Sequence, residues 1–144
     1  MISFSLFFLV YLPKKSIMMK IKLERVTSLF EENTTSKLLR VVKGTNKCHW
    51  NSAMICYLLR KQYHVGYCEG YIYGDMGHAW NVYTDPNGIK HYFDITQEWN
   101  ITNGVTLDFN FNVELVKEFN GEEIMNIFDH DGYSHLVSVE TIKR

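Results

Sequence analysis

Hydrophobic and polar positions follow a helical period in the first half of the chain. Residues 48–63 carry one stripe at the spacing of successive helical turns. The stripe consists of Cys48, Ser52, Ile55 and Leu59. Residues 34–42 predict a shorter helix, and the sequence Gly-Thr-Asn-Lys at 44–47 separates the two, because glycine and short polar residues favour turns. We therefore expect two consecutive helices, the second of which begins at Cys48.

The middle of the chain is rich in aromatic residues and predicts strands. Residues 65–74 form one candidate strand bounded by glycines, and residues 77–96 predict a hairpin. Towards the C-terminus a weaker pattern predicts a strand, two helices and a further strand, at 105–111, 112–119, 122–128 and 135–142 in that order. Helices followed by antiparallel strands indicate an α+β fold.

The sequence Asp-Pro-Asn-Gly at 85–88 is a strong turn signal inside the hairpin. Proline suits the first central position of a type I turn, and Gly88 can adopt a positive φ. A type I turn followed by such a glycine closes a three-residue loop, in which Asp85 pairs with Ile89. The turn therefore predicts the register of the whole hairpin.

In that register, His78 lies opposite Thr96 and Trp80 lies opposite Asp94. His78 and Asp94 then share one face as diagonal neighbours, with their backbones about 7–8 Å apart. A two-residue loop would shift the pairing by one residue and turn Asp94 to the other face. A histidine and an aspartate that meet on a sheet surface by chance are also common.

Composition and charge place the chain among globular proteins. Hydrophobic residues make up 46% of the 144 residues and charged residues 22%, which is typical of a chain that folds as one domain. The formal net charge of −1 provides no positive field, so nucleic acid is not an expected partner.

The start of the chain differs from the rest. Its apolar run, residues 2–12, is far shorter than the roughly 20 residues that cross a bilayer, so we expect no stable membrane span. Positive charges follow this run, whereas they precede it in a signal peptide. We interpret residues 1–19 as an extension, with Met18 or Met19 as an alternative start, and residues 20–144 as a single domain. A packed terminal element and a membrane or export role are the other interpretations.

The three cysteines, Cys48, Cys56 and Cys68, include no Cys-x-x-Cys pair, which argues against a disulfide framework and a zinc site. We expect a reducing, cytoplasmic setting and neither a metal nor another cofactor. Cys48 falls at the first turn of a predicted helix, where the backbone dipole and free N–H groups lower the pKa of a thiol. Cys56 and Cys68 lie within a helix and a strand, where cysteine commonly fills space.

A histidine that is held by a carboxylate can deprotonate a thiol, because the carboxylate fixes the tautomer and orientation of the imidazole. Cys48, His78 and Asp94 offer these three groups. They are therefore the candidate catalytic residues.

The segment 44–97 resembles the transglutaminase-like core of the papain-like cysteine enzymes. The resemblance rests on a cysteine that opens a helix, then Leu-Leu-Arg, Gly-Tyr, His-Ala-Trp and a hydrophobic-Asp-x-Thr strand. These pieces stand in this order at Cys48, 58–60, 70–71, 78–80 and 93–96. The chain is also similar to small uncharacterised bacterial and phage proteins that share a Cys-His-x-Asn, Glu-Gly-Tyr and His-Ala-Trp pattern.

The resemblance implies a papain-like fold, with the nucleophile helix packed on a small antiparallel sheet. It implies that Cys48 is the nucleophile, His78 the general base and then acid, and Asp94 the orienting carboxylate. The reaction would be acyl transfer on a peptide or protein amide. Water as acceptor gives a protease or amidase, and an amine gives a transglutaminase-type transferase. The alternative is a non-catalytic module or inhibitor that binds a peptide or protein on the same fold.

The chain departs from that family upstream of the nucleophile. The papain-type oxyanion glutamine is absent, and no tryptophan precedes Cys48. The oxyanion would have to be bound by the Cys48 backbone N–H and a second donor, for which Asn46 and His49 are candidates. On a helix, however, the side chain of His49 is expected to point away from Cys48, which favours a solvated or capping role.

Three further residues are candidates for substrate binding. Trp50 and Trp80 flank the proposed nucleophile and base, where they would line a cleft or pack into the core. Glu69 lies on a predicted strand, where solvent exposure is the default expectation and contact with a substrate amine is the alternative.

Overall fold

Five strands and five helices make up the part of the chain that the structure describes. The structure is a computed structural model, and it describes residues 19–42, 47–106 and 111–130. The strands are β1 (Met19–Glu24), β2 (His64–Ile72), β3 (Met76–Thr84), β4 (Lys90–Phe93) and β5 (Asn112–Phe119). The helices are α1 (Val26–Leu29), α2 (Glu32–Val42), α3 (Cys48–Leu59), α4 (Ile95–Thr102) and α5 (Gly121–His130).

The described strands close into a small barrel in the order β1-β4-β3-β2-β5, with β5 returning to β1. Four of the five pairings are antiparallel, and β1 with β4 is parallel. A parallel pair needs a long connection, which the helices between β1 and β2 help to supply. The predicted combination of helices with a small sheet is confirmed, but the expectation of a wholly antiparallel sheet is wrong.

The hairpin of β3 and β4 has the predicted register. Thr84 pairs with Lys90, and the pairing continues in step along both strands. The backbone N–H of Asp85 donates to the carbonyl of Ile89 at 2.9 Å, and Gly88 adopts a φ of 81°. The three-residue loop is therefore confirmed.

The second strand of this hairpin ends earlier than predicted. β4 stops at Phe93, and α4 begins at Ile95 with Asp94 as its N-cap residue. One carboxylate oxygen of Asp94 accepts a hydrogen bond from the backbone N–H of Gln97 at 3.1 Å, which satisfies a free N–H group at the helix start. The expected strand through Thr96, and with it the pairing of that residue with His78, is wrong.

The segment 112–119 is strand β5, whereas the sequence predicted a helix. Val113, Leu115 and Phe119 are buried, and the alternation at its start fits a strand between β1 and β2. Here pairing with two neighbouring strands outweighs local helix propensity.

The other three predicted helices are present in the structure. Helix α2 confirms the prediction over 34–42, α3 begins at the expected residue but ends at Leu59, and α5 confirms the prediction over 122–128. Of the predicted strands, 135–142 and residues 107–110 of the segment 105–111 lie outside the described residues.

Two groups of buried side chains hold these elements together. The first lies inside the barrel and consists of Leu23, Cys68, Ile72, Trp80, Val82, Tyr92, Val113 and Leu115. The second lies between the sheet and the helices and includes Leu38, Ile55, Cys56, Leu59, Val65, Tyr67 and Phe93. Strand β2 contributes to both groups because its successive side chains point to opposite faces. Helix α3 is thereby fixed against the sheet.

Gly70 on β2 makes room for the close packing of the barrel. A β-carbon at this position would lie 1.9 Å from the backbone oxygen of Glu114 and 2.8 Å from the indole ring of Trp80. Glycine is therefore required where β5 and Trp80 approach β2.

Residues 1–18 lie outside the described residues, so their interpretation as an extension stays a prediction. Within the described ranges, no helix has the length and apolar character that crossing a bilayer requires.

Candidate active site

Cys48 is the first residue of α3, at the end of a helix that packs against β2 and β3. Its thiol is half-buried. The N-cap residue, Lys47, makes no side-chain hydrogen bond to the helix start within the described part of the chain. The backbone dipole at this helix start favours an anion at the thiol.

His78 on β3 brings an imidazole to this thiol. The side chain of His78 and the backbone of Ala79 lie beside the sulfur of Cys48, where both lower the pKa of the thiol. The Nε2 atom of His78 lies 2.5 Å from Oδ2 of Asp94, so the other ring nitrogen, Nδ1, faces the thiol. The three predicted catalytic side chains thus form one connected chain of contacts.

Asp94 is held by three donors although it is almost entirely removed from water. Its side chain is 1% exposed. Oδ2 accepts hydrogen bonds from His78 and from Nε2 of Gln97, the latter at 2.9 Å, and Oδ1 accepts one from the Gln97 backbone. These donors replace the water that a buried carboxylate loses.

The charges of these groups support one another. Burial raises the pKa of the Cys48 thiol, but hydrogen bonds from the side chains of His49 and His78 outweigh it. The charge of His78 and the hydrogen bond from Ala79 contribute further, and the pKa falls to about 6. Burial lowers the pKa of the His78 imidazole, but the charge of Asp94 and the hydrogen bonds to Asp94 and Cys48 raise it to about 10. At neutral pH the pair is therefore a thiolate and an imidazolium.

Asp94 stays ionised over the same range. Burial raises the pKa of its carboxyl, but the charge and hydrogen bond of His78, with the hydrogen bonds from Gln97, lower it below the ordinary value. The other two cysteines behave in the opposite way, because burial raises the pKa of Cys56 to about 12 and also raises that of Cys68. Cys48 alone among the three has the electrostatic surroundings of a nucleophile.

The side chain of His49 lies closer to the Cys48 thiol than the sequence suggested. This side chain contributes to the lowered pKa of the Cys48 thiol, which does not fit the expectation that it points away from Cys48. The other candidate oxyanion donor, Asn46, lies outside the described residues.

The two candidate cleft tryptophans differ in position. Trp50 is half-buried against the core between sheet and helices, with the ammonium group of Lys47 5.9 Å from its ring centre. Trp80 is fully buried inside the barrel, and its ring stacks on that of His78 at 6.2 Å. Of the two positions expected for Trp80, a cleft wall and the core, the structure shows the core, where its ring stacks on the ring of His78.

Glu69 is fully buried, which contradicts the expectation of a solvent-exposed carboxylate. One of its oxygens accepts a hydrogen bond from the hydroxyl of Tyr67 at 2.8 Å, on the face of β2 that packs against the helices. Its position in the interior speaks against contact with a substrate amine.

Two contributions to the site were missed in the sequence. Gln97 holds Asp94, and the Asp-x-x-Gln spacing that begins at Asp94 is typical of a helix start, so a signal for it was present. Asn51 donates to the hydroxyl of Thr96 at 3.1 Å and ties α3 to α4 in the interior. A buried asparagine within an apolar helix carries no comparable signal.

Within the described ranges, no group of three or more His, Cys, Asp or Glu side chains is arranged to hold a metal ion. We compared the chain with protein-family models, with curated proteins and with solved structures, and none of them matches it.

Proposed function

We propose that the protein is an enzyme that transfers an acyl group from a peptide or protein amide through Cys48. The observation that carries the proposal is the contact chain from the thiol to the His78 imidazole and on to the Asp94 carboxylate, at a helix start. This arrangement lowers the pKa of the thiol and keeps a proton on the imidazole, which are the two conditions for attack on an amide.

In the first half of the reaction, the Cys48 thiolate attacks the amide carbonyl carbon and forms a carbon–sulfur bond. His78, as an imidazolium, donates its Nδ1 proton to the leaving nitrogen, and the carbon–nitrogen bond breaks. The products are a free amine and a thioester on Cys48.

In the second half, water or an amine attacks the thioester carbonyl. His78 accepts the proton of the attacking group, the carbon–sulfur bond breaks, and the thiolate leaves. Asp94 stabilises the imidazolium in both halves and itself stays ionised. Hydrolysis by water and transfer to an amine use the same residues.

The negative charge on the carbonyl oxygen needs donors while the tetrahedral intermediate exists. The backbone N–H of Cys48 at the start of α3 is one candidate, and the side chain of His49, which contributes to the lowered pKa of the thiol, is another. A single oxyanion donor is worth about 3–4 kcal/mol of barrier, so replacing His49 is expected to slow acylation strongly if it fills this role.

We further propose that the barrel with α3 is a transglutaminase-like version of the papain-like fold. Three observations support this. The proposed nucleophile opens a helix that packs on the sheet, and the proposed base lies on a barrel strand. The carboxylate follows the next strand along the chain.

The proposal is tested with an activated acyl donor, such as a p-nitrophenyl ester of a blocked amino acid, followed by intact-mass measurement. We expect one acyl adduct, located on Cys48 and absent in Cys48→Ala, and slow adduct formation in His78→Ala. The matched control is Cys56→Ala, which keeps the adduct. A protein that binds peptides but never acquires the adduct would be a non-catalytic module.

A further inference from the structure

We propose that Gln97 is a positioning residue that holds the Asp94 carboxylate in place for His78 and thereby sets the pH range over which Cys48 is a nucleophile. The inference rests on the proposed function and extends it by one residue beyond the three catalytic groups.

The side chain of Gln97 is a hydrogen-bond donor to the Asp94 carboxylate. Its Nε2 lies 2.9 Å from Oδ2 of Asp94, the same oxygen that accepts from His78 at 2.5 Å. An ionised carboxylate only accepts hydrogen bonds, so the side-chain NH₂ of Gln97, and not its oxygen, faces Asp94. The residue is 7% exposed, so water does not readily replace this donor.

Gln97 holds both oxygens of the carboxylate. Its backbone N–H binds Oδ1, and its side chain binds Oδ2. Asp94 is therefore restrained in rotation about its last side-chain bond, with Oδ2 aimed at Nε2 of His78. Without the side chain, Oδ1 stays tied to the helix backbone, but Oδ2 loses one of its two donors.

The carboxylates at the neighbouring positions of α4 and β2 are hydrogen-bonded to other residues. Glu98, the next residue of α4, bonds Arg25, and Glu69 on β2 bonds Tyr67. On α3, the side chain of His49 bonds the thiol itself. Within the described residues, Gln97 is thus the side chain besides His78 that is hydrogen-bonded to the Asp94 carboxylate.

The consequence for the thiol follows through two steps. Without the Gln97 side chain, Oδ2 of Asp94 is free to turn away from Nε2 of His78, and a carboxylate that is farther from the ring stabilises the His78 imidazolium less well. When the protonated form of His78 is less stable, it also stabilises the Cys48 thiolate less well, so the thiol loses its proton at higher pH.

The test is the rate of Cys48 alkylation by iodoacetamide in the full chain, followed by peptide mass spectrometry from about pH 4.5 to about pH 9.5. The midpoint is the pH at which the alkylation rate reaches half of its maximum. In Gln97→Met, which keeps the length and helix propensity of the side chain, we expect this midpoint to rise by about half a pH unit to one pH unit. Below the midpoint, alkylation then slows about threefold to tenfold. An unchanged midpoint in folded Gln97→Met overturns the inference.

The matched control is Asn103→Ala at the other end of α4, where the Asn103 side chain donates to the carbonyl of Trp99 at 2.9 Å. It weakens the helix without touching Asp94, so the midpoint should stay in place. An equal shift in both variants would mean that helix stability, and not the hydrogen bond, sets the midpoint, which also overturns the inference.

A second measurement needs no variant. The side-chain NH₂ signals of Gln97 in nitrogen–proton spectra of the unaltered protein should move as Cys48 and His78 titrate, and constant signals would overturn the inference. The proposed function fails in a distinguishable way, because an unaltered protein in which Cys48 has an ordinary thiol midpoint contradicts the catalytic proposal before any substitution is made.

Discussion

Nε2 of His78 lies 2.5 Å from Oδ2 of Asp94, and Asp94 is at the same time the N-cap residue of α4. One carboxylate therefore orients an imidazole and starts a helix. The three-residue loop at 86–88 fixes the register that brings the two residues together, and the helix start fixes the direction of the carboxylate.

The two functions of Asp94 can be separated by two substitutions. Asparagine is as good an N-cap as aspartate, so Asp94→Asn keeps the start of α4 but removes the charge beside His78. We expect the pKa of Cys48 to rise towards the ordinary thiol range and its alkylation at pH 7 to slow about tenfold to hundredfold. Asp94→Ala removes the cap as well, and denaturant unfolding should show a further loss of about 0.5–2 kcal/mol. Unchanged alkylation in Asp94→Asn would contradict this assignment.

An ion pair between the buried Glu98 and the partly exposed Arg25 ties α4 to the start of α1. Glu98 is 1% exposed, bonds the guanidinium of Arg25 and accepts the backbone N–H of Val26 at 2.8 Å. Glu98→Ala leaves that N–H without its partner, and we expect a loss of about 1–3 kcal/mol in unfolding free energy. Glu98→Gln keeps an acceptor for the N–H and should lose less. Equal losses in the two variants would show that the hydrogen bond from the Val26 N–H to Glu98 contributes little to stability.

Tyr73, at the turn between β2 and β3, has a φ of 57°, a conformation that favours glycine and asparagine. Its side chain is 61% exposed, so burial offsets little of this strain. We expect Tyr73→Asn to raise the unfolding free energy by about 0.5–1 kcal/mol. Tyr73→Ala keeps a β-carbon in the same conformation and should gain nothing. Chemical denaturation of the three proteins side by side is the measurement, and equal stabilities would refute the strain.

His91 links two carboxylates at the junction of β1 and β4. Its Nδ1 lies 2.8 Å from Glu24 and its Nε2 2.9 Å from Asp85. Hydrogen bonds to Asp85 and then to Glu24 raise the pKa of the imidazole, despite some opposing burial. A raised folded-state pKa gives stability that is complete below the unfolded value of 6.5 and is lost as the pH rises through the folded value.

We therefore expect the difference in unfolding free energy between the unaltered protein and His91→Gln to be larger at pH 6 than at alkaline pH. Added salt should reduce it, because the groups are near the surface. A difference that grows with pH would have the wrong sign for this account.

The sequence predicted the parts of the site that depend on local signals. The helix start at Cys48 follows from a break before an amphipathic run, and the register of the hairpin follows from Pro86 and Gly88. Both signals lie within a few residues of the feature that they determine. That register brings Asp94 near His78, whereas the direction of the Asp94 carboxylate depends on the start of α4.

The errors arose where packing between distant segments decides the structure. Strand β5 is a strand because β1 and β2 pair with it on both sides, and this pairing outweighs the local helix propensity of 112–119. Glu69 is charged yet buried, because Tyr67 and the helices surround it, and its burial depends on segments far along the chain.

The most direct measurement is the pH dependence of iodoacetamide alkylation at Cys48, in the unaltered protein and in His78→Ala. The account predicts a midpoint near 6 that moves above 8 in the variant, while Cys56 and Cys68 stay unlabelled in both. A midpoint near the ordinary thiol value in the unaltered protein, or one that His78→Ala leaves in place, would contradict it.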